Sequence, residues 1–122
     1  MNLFFRLFFY RLFSFNGRAE RKEYIVRFLA MLIFNCISIY SLEYTNHVDF
    51  LGIFILDSIF FIVSILYFIQ IFPLTARRLH DLNTSGWWQL ITFIPFGQLL
   101  MIGLIFYKGT PGANKYGEPP ID

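Results

Sequence analysis

The charged positions of this 122-residue chain fall in clusters, and the stretches between them are almost uninterrupted apolar runs. Fifteen uncharged residues, Phe28 to Leu42, separate Arg27 from Glu43. Between Asp49 and Arg77 only Asp57 interrupts a run of 27 residues, and 26 uncharged residues, Leu82 to Tyr107, separate Asp81 from Lys108. An α-helix rises about 1.5 Å per residue, so about 20 residues cross the hydrocarbon core of a bilayer. The second and third runs exceed that length. The first reaches it when its helix starts near Tyr24 and Arg27 extends its guanidinium back to the head groups. The pattern predicts an all-α membrane protein with three spanning helices, near residues 24–43, 51–75 and 87–107.

The first sixteen residues are apolar too, but they carry Arg6 and Arg11. On a helix these two sit about 140° apart and leave a wide Phe/Leu face, which suits an amphipathic helix lying in the membrane interface. Two central arginines oppose a fourth span, and the segment lacks the early basic cluster and cleavage site of a secretory signal. Asn16-Gly17 breaks it, and Asn16 is placed to cap the helix that runs through Glu20 and Glu23 into the first span. Glu23 and Arg27, four apart, are in the favourable order for an ion pair. Residues 108–122 are rich in Gly and Pro and predict a non-helical tail, which completes a single membrane domain over residues 1–122. Pro95 and Gly97 interrupt the third apolar run; a re-entrant hairpin there would return the tail to the side from which that run started.

Composition sharpens this reading. Hydrophobic residues make up 57% of the chain and aromatics 21%, while charged residues make up 15%, too few to cover a soluble domain of this size. A net charge of +2 gives no basic footprint for nucleic acid. The single cysteine, Cys36, excludes a disulfide framework and a cysteine-built metal site. Lys and Arg set the direction. The N-terminal region holds Arg6, Arg11, Arg18, Arg21, Lys22 and Arg27, and Arg77 and Arg78 follow the second span, whereas only Lys108 and Lys115 lie in the tail. The positive-inside rule therefore places the N-terminus in the cytoplasm and, with three spans, the tail outside.

Two groups of polar residues are candidates for chemistry. Asp57 is the one formal charge inside a predicted span, about 12 Å below the outer interface by its distance from Asp49. Asn35 and Gln98 come to the same depth on the other two helices. The three can form an intramembrane polar layer, either as glue that fixes helix register or as a proton- or cation-binding site. The denser group is Arg77, Arg78, His80 and Asp81, followed by Asn83-Thr84-Ser85-Gly86 and Trp87-Trp88. It reads as a helix end, a turn and a helix start at the interface, with arginines facing anionic head groups, tryptophans in the aromatic belt, and Arg77 spaced to pair with Asp81. Adjacent helical residues point about 100° apart, so His80 and Asp81 do not make a catalytic dyad. No H-E-x-x-H spacing, nucleophile elbow or phosphate loop is present, and His47 has no nearby ligand partner. No enzyme activity, metal or cofactor is expected.

These residues have a familiar order. F-x-F-x-G-R-x-x-R-x-E-Y runs from Phe13 to Tyr24 and P-L-x-x-R-R-L-H-D from Pro73 to Asp81. S-G-W-W (Ser85 to Trp88), Ile94-Pro95-Phe96-Gly97 and G-T-P-G-x-N-x-Y-G (Gly109 to Gly117) follow. Over essentially its whole length the chain resembles family 805 of the domains of unknown function, the YhaH-like bacterial inner-membrane proteins. The resemblance implies a small multi-span helical protein of the bacterial inner membrane and implies no activity. It also gathers Arg18, Arg21, Glu23, Arg77, Arg78, His80 and Asp81 into one expected charged network at the cytoplasmic interface, bracing the bundle and binding a lipid head group or partner. Asn35, Asp57 and Gln98 are outside the shared motifs. Three short helices leave little room for a private pathway, so the expected role is accessory or scaffolding, or part of a membrane-stress response, in a homo- or hetero-oligomer. The competing class is a subunit of an oligomeric transporter or channel lined by the polar layer.

Overall fold

A computed structural model of the chain describes residues 11–44 and 49–120, together with Asn2, Phe5 and Phe9. Most of the interfacial segment expected over residues 1–16, Arg6 included, lies outside the described residues, as does His47. Residues 11–16 form a turn and an extended stretch rather than helix, with Arg11 in the left-handed region at φ 52°.

Two long helices follow. The first, α1 (Arg21–Tyr44), contains no Gly or Pro and has Glu23 in its first turn, where a carboxylate complements the helix dipole. The second, α2 (Phe50–Asp81), starts at Asp49, whose carboxylate accepts a hydrogen bond from the Gly52 N–H at 3.2 Å. It ends at Asn83, which adopts φ 59° and donates its N–H to the His80 carbonyl at 2.9 Å. Both helices are long and apolar enough to cross a membrane. At 1.5 Å per residue α2 runs about 48 Å, more than the roughly 30 Å hydrocarbon core of a bilayer.

The third span expected near 87–107 does not form as one helix. A 3₁₀ helix, Gly86–Phe93, runs inward from Ser85, and the chain then turns through Ile94–Gln98 into a short α3 (Leu99–Phe106). Neither piece reaches across, since the first spans about 16 Å and the second about 12 Å. Pro95 withholds a backbone donor, and Phe96 adopts φ 67°. Gly97 completes the turn, because a Cβ there would overlap the Ile91 carbonyl.

The hairpin folds back onto α2 rather than continuing outward. Arg78 near the end of α2 donates from Nε to the Leu104 carbonyl at 3.2 Å and from Nη2 to the Tyr107 carbonyl. The Thr110 N–H then donates to the Asp81 carbonyl at 2.8 Å. The tail therefore returns to the end of the molecule that holds Arg18 and the start of α1. The third long helix expected near 87–107 is thus replaced by a hairpin, and the chain past Gly97 turns back as the interruption at Pro95 and Gly97 allowed. The buried core lies at that same end and joins Ala19, Tyr24, Phe28, Ile71, Leu74, Leu79 and Leu104. Elsewhere α1 and α2 present large apolar side chains outward, among them Ile33, Ile37, Phe54, Phe61 and Phe68. In a bilayer these face lipid.

Two outcomes test this architecture. Reporters fused before Met1 and after Asp122 should give signals from the same side of the membrane; opposite sides would restore a third crossing. Gly97→Ala should lower unfolding stability in detergent by about 1–3 kcal/mol, the usual penalty for forcing atoms into a closed turn, with a midpoint shift in a thermal melt as readout.

Candidate functional site

The residue at the centre of the folded end is Asp81, in the last turn of α2. Its two carboxylate oxygens take different arginines. Arg18, on the segment before α1, donates from Nε to Oδ1 at 2.9 Å, and Arg78, one turn back on α2, donates from Nη1 to Oδ2. Both guanidiniums are otherwise held by backbone carbonyls. Arg18 reaches Gly112 O and Thr110 O, each at 2.6 Å, while Arg78 reaches Leu104 O, Tyr107 O and, more weakly at 3.5 Å, Ala19 O. The planar guanidinium, with five donors in a fixed fork, suits a site that must bind several carbonyls at once. Gly109 lies against the Asp81 carboxylate so closely that any Cβ would overlap it.

A second centre lies one step deeper. Glu23 Oε1 accepts from Arg27 Nη2 at 3.1 Å, four residues on along α1, and from Arg77 Nη2 at 2.9 Å across to α2. Adjacent residues on a helix point about 100° apart, which sends Arg77 to α1 and Arg78 to the hairpin and tail. All six side chains of the two centres are buried: Arg18, Glu23, Arg27, Arg77, Arg78 and Asp81. Taking a charge out of water costs several kcal/mol, so each ion here depends on its partners.

His80 stands beside this network. Its Nδ1 lies 3.1 Å from the Gly17 carbonyl, and its ring stacks on Tyr116 of the tail at 3.9 Å between centroids. Asn114 donates from Nδ2 to the His80 carbonyl at 2.9 Å and to Thr110 Oγ1 at 2.8 Å, which ties the tail turn to the end of α2.

The sequence-expected network thus assembles in space for Arg18, Glu23, Arg77, Arg78, His80 and Asp81. Arg21 does not join it: its side chain is exposed at the start of α1, and it makes no ion pair among the described residues. The Arg77–Asp81 pair expected from i,i+4 spacing is replaced by Arg78–Asp81, three apart, and Arg77–Glu23. Arg27, expected to reach the head groups, is buried on Glu23. Sequence reasoning also missed the part played by Gly109, Thr110 and Gly112, although the clustering of Gly and Pro in the tail was a signal that its backbone makes close approaches.

The intramembrane polar layer does not assemble within one chain. Asn35 donates from Nδ2 to the Met31 carbonyl one turn back, at 2.8 Å, and Gln98 is exposed at the hairpin tip. The depth expected for Gln98 rests on a third span ending near Tyr107, whose carbonyl instead lies on Arg78. Asp57 stands beside a cavity of about 540 Å³ shared with Ser38 and Ser64, and its buried Oδ1 has no hydrogen-bond partner.

Removing the carboxylate shared by two arginines should be costly. Asp81→Asn is expected to lower stability by about 3–5 kcal/mol, the usual loss when a buried ion pair is broken. Gly109→Ala should shift stability in the same direction, because its methyl displaces Asp81. Denaturant unfolding of the purified protein in detergent measures both, and an unchanged Asp81→Asn midpoint would show that the network does not hold the fold.

Comparison with known proteins agrees with the geometry. The chain is similar to inner membrane protein YhaH of Escherichia coli K12, with 37% identity over 108 residues covering 88% of this chain and 87% of the relative. It is also similar to inner membrane protein YhaI of the same strain, with 32% identity over 109 residues covering 88% and 86%. No solved structure matches the chain. The family described as "Protein of unknown function (DUF805)" matches residues 12–118, a stretch that includes both arginine centres, the hairpin and the tail turn. This chain belongs to the DUF805 family.

Proposed function

We propose that this protein is a non-enzymatic, multi-pass component of the bacterial inner membrane with its N-terminus in the cytoplasm. In this reading it acts by association, as an accessory or scaffolding element, or a membrane-stress component, that gathers anionic lipid head groups around its folded end and assembles with other chains. The observation that carries the reading is the charge balance at that end. Four buried guanidiniums, Arg18, Arg27, Arg77 and Arg78, face two buried carboxylates, Glu23 and Asp81. Arg21, Lys22, Lys108 and Lys115 are exposed on the same end and outnumber Glu20 and Glu118 there. Anionic lipid phosphates lie within a Debye length of such a surface and are drawn to it at about 1 kcal/mol per basic residue. The names of the relatives and the two long apolar helices support the location.

A second reading rests on Asp57. A carboxyl with an unpartnered oxygen beside a cavity at membrane depth is a candidate ion or proton site. An oligomer that closes this cavity would serve as a transporter or channel subunit.

The two readings separate experimentally. In nanodiscs containing phosphatidylglycerol and a neutral lipid, the protein should retain phosphatidylglycerol preferentially, and less so at high salt. Replacing Arg21, Lys22, Lys108 and Lys115 together by Gln should weaken that preference about tenfold or more. Equal retention of both lipids would sink the head-group reading. Proteoliposome flux lost in Asp57→Asn would favour the transporter.

A further inference from the structure

Phe72, Ala76 and His80 follow one another at four-residue intervals and so share one face of α2. Against that face the N-terminal segment, the 3₁₀ helix and the tail enclose a cavity of about 620 Å³. Its walls are aromatic, made by Phe15, Phe72, Trp87 and Tyr116, and its polar lining is Asn16, His80, Ser85 and Gln89. Among the described residues no charged side chain lines it, so it is chemically distinct from the arginine centres beside it.

His80 and Gln89 each present an acceptor, beside the Asn16 amide and the Ser85 hydroxyl. The Gly17 carbonyl can only accept a hydrogen bond, so His80 Nδ1 carries a proton. In the neutral ring Nε2 keeps its lone pair. Nε2 lies beside Gly86, where a Cβ would come within 3.2 Å of it, and it has no hydrogen-bond partner among the described residues. The amide Oε1 of Gln89 is buried at the cavity wall and also has no partner. A buried acceptor left unmade carries a cost that a bound donor removes.

The cavity is graded along its length. His80 is at the end of α2, whereas Phe72 lies two turns, about 12 Å, further toward the bilayer and stacks on Phe93 at 5.9 Å. The polar end therefore faces the interface and the apolar end faces lipid. A lining with no cation offers a phosphate no charge to pair with. The absence of a carboxylate, with the Lys115 ammonium 5.0 Å from the Tyr116 ring centroid, disfavours a cationic ligand. What fits is an uncharged ring: its hydroxyls supply donors and its faces stack on the aromatic walls.

We propose that this cavity binds the uncharged, hydroxyl-bearing ring of a membrane-resident amphiphile, whose hydroxyls donate to His80 Nε2 and Gln89 Oε1 while its tail leaves past Phe72. The sugar of a glycolipid and the hydroquinone of a prenylated quinol share this chemistry.

The full chain, purified in an amine-oxide detergent so that no sugar detergent competes, is titrated with monoglucosyl diacylglycerol and, separately, with a short-chain ubiquinol under reducing conditions. Bound fractions are read by native mass spectrometry. Saturable one-to-one binding is expected for at least one of them: the glycolipid alone assigns the sugar, the quinol alone assigns the hydroquinone, and both assign the shared ring. Gln89→Leu removes one acceptor at a half-buried position, and Trp87→Ala removes an exposed wall. Each should weaken binding about tenfold, with the melting midpoint unchanged within a few degrees. Saturable binding of neither compound, or binding unaltered in both variants, overturns the proposal. Ring binding that survives the fourfold Gln replacement of the exposed basic residues shows that the cavity is independent of head-group attraction at the basic face; ring binding lost with those residues also overturns it.

Discussion

The Asp81 carboxylate organises everything at the folded end of this molecule. One oxygen holds Arg18 and the other holds Arg78, so a single side chain at the end of α2 connects the segment before α1 to the hairpin and the tail. The arginines then extend the connection by binding carbonyls, Thr110 and Gly112 from Arg18, and Leu104 and Tyr107 from Arg78. Those carbonyls belong to a helix terminus and a turn-rich tail, which lack regular backbone partners. Charged side chains here do what a β-sheet or a longer helix would do elsewhere: they satisfy the polar backbone of an irregular segment.

Such an arrangement explains why the third apolar run need not cross. Irregular backbone in a bilayer is tolerated only where protein covers it or water reaches it. The hairpin exposes Phe93, Ile94 and Phe96 at its tip, but its two legs pack on α2 and α1. Tyr24 donates from its hydroxyl to the Met101 carbonyl at 3.2 Å, which fixes the returning leg to α1. Thr92 Oγ1 donates to the Gln89 carbonyl at 2.7 Å, so part of the 3₁₀ backbone is satisfied from its own side chains.

The two long helices were legible from the sequence because charge spacing is a local property and hydrocarbon thickness a fixed ruler. The hairpin was legible only as an interruption. Pro95 and Gly97 mark a break, but whether the chain then continues or returns depends on bonds between Arg78 and carbonyls that lie 26 and 29 residues further on. No periodicity encodes those. The charged network was legible in its membership apart from Arg21 and Arg27, and illegible in its pairing. Arg77 and Arg78 look interchangeable in sequence; the phase of α2 against α1 decides that one meets Glu23 and the other Asp81. The polar layer failed for a related reason. Depth was counted along a third helix whose direction reverses at Gly97, and an error of direction moves Gln98 without changing any local feature.

Buried ion pairs contribute little net stability when compared with well-packed apolar residues, but they discriminate strongly among alternatives. In a lipid environment that discrimination is worth more. Apolar side chains on α1, α2 and the hairpin are as well solvated by acyl chains as by one another, so hydrophobicity cannot choose between a returning hairpin and a crossing helix. Arg18 and Arg78 can choose, because their carbonyls and the shared carboxylate converge in only one arrangement. A chain with 15% charged residues that buries six of them at one junction therefore uses them to select topology. The same selection leaves an uncharged aromatic cavity alongside, formed by the N-terminal segment, α2, the 3₁₀ helix and the tail that the arginines bring together. Its lining is positioned by that framework, with His80 and the unpartnered Gln89 Oε1 at its wall.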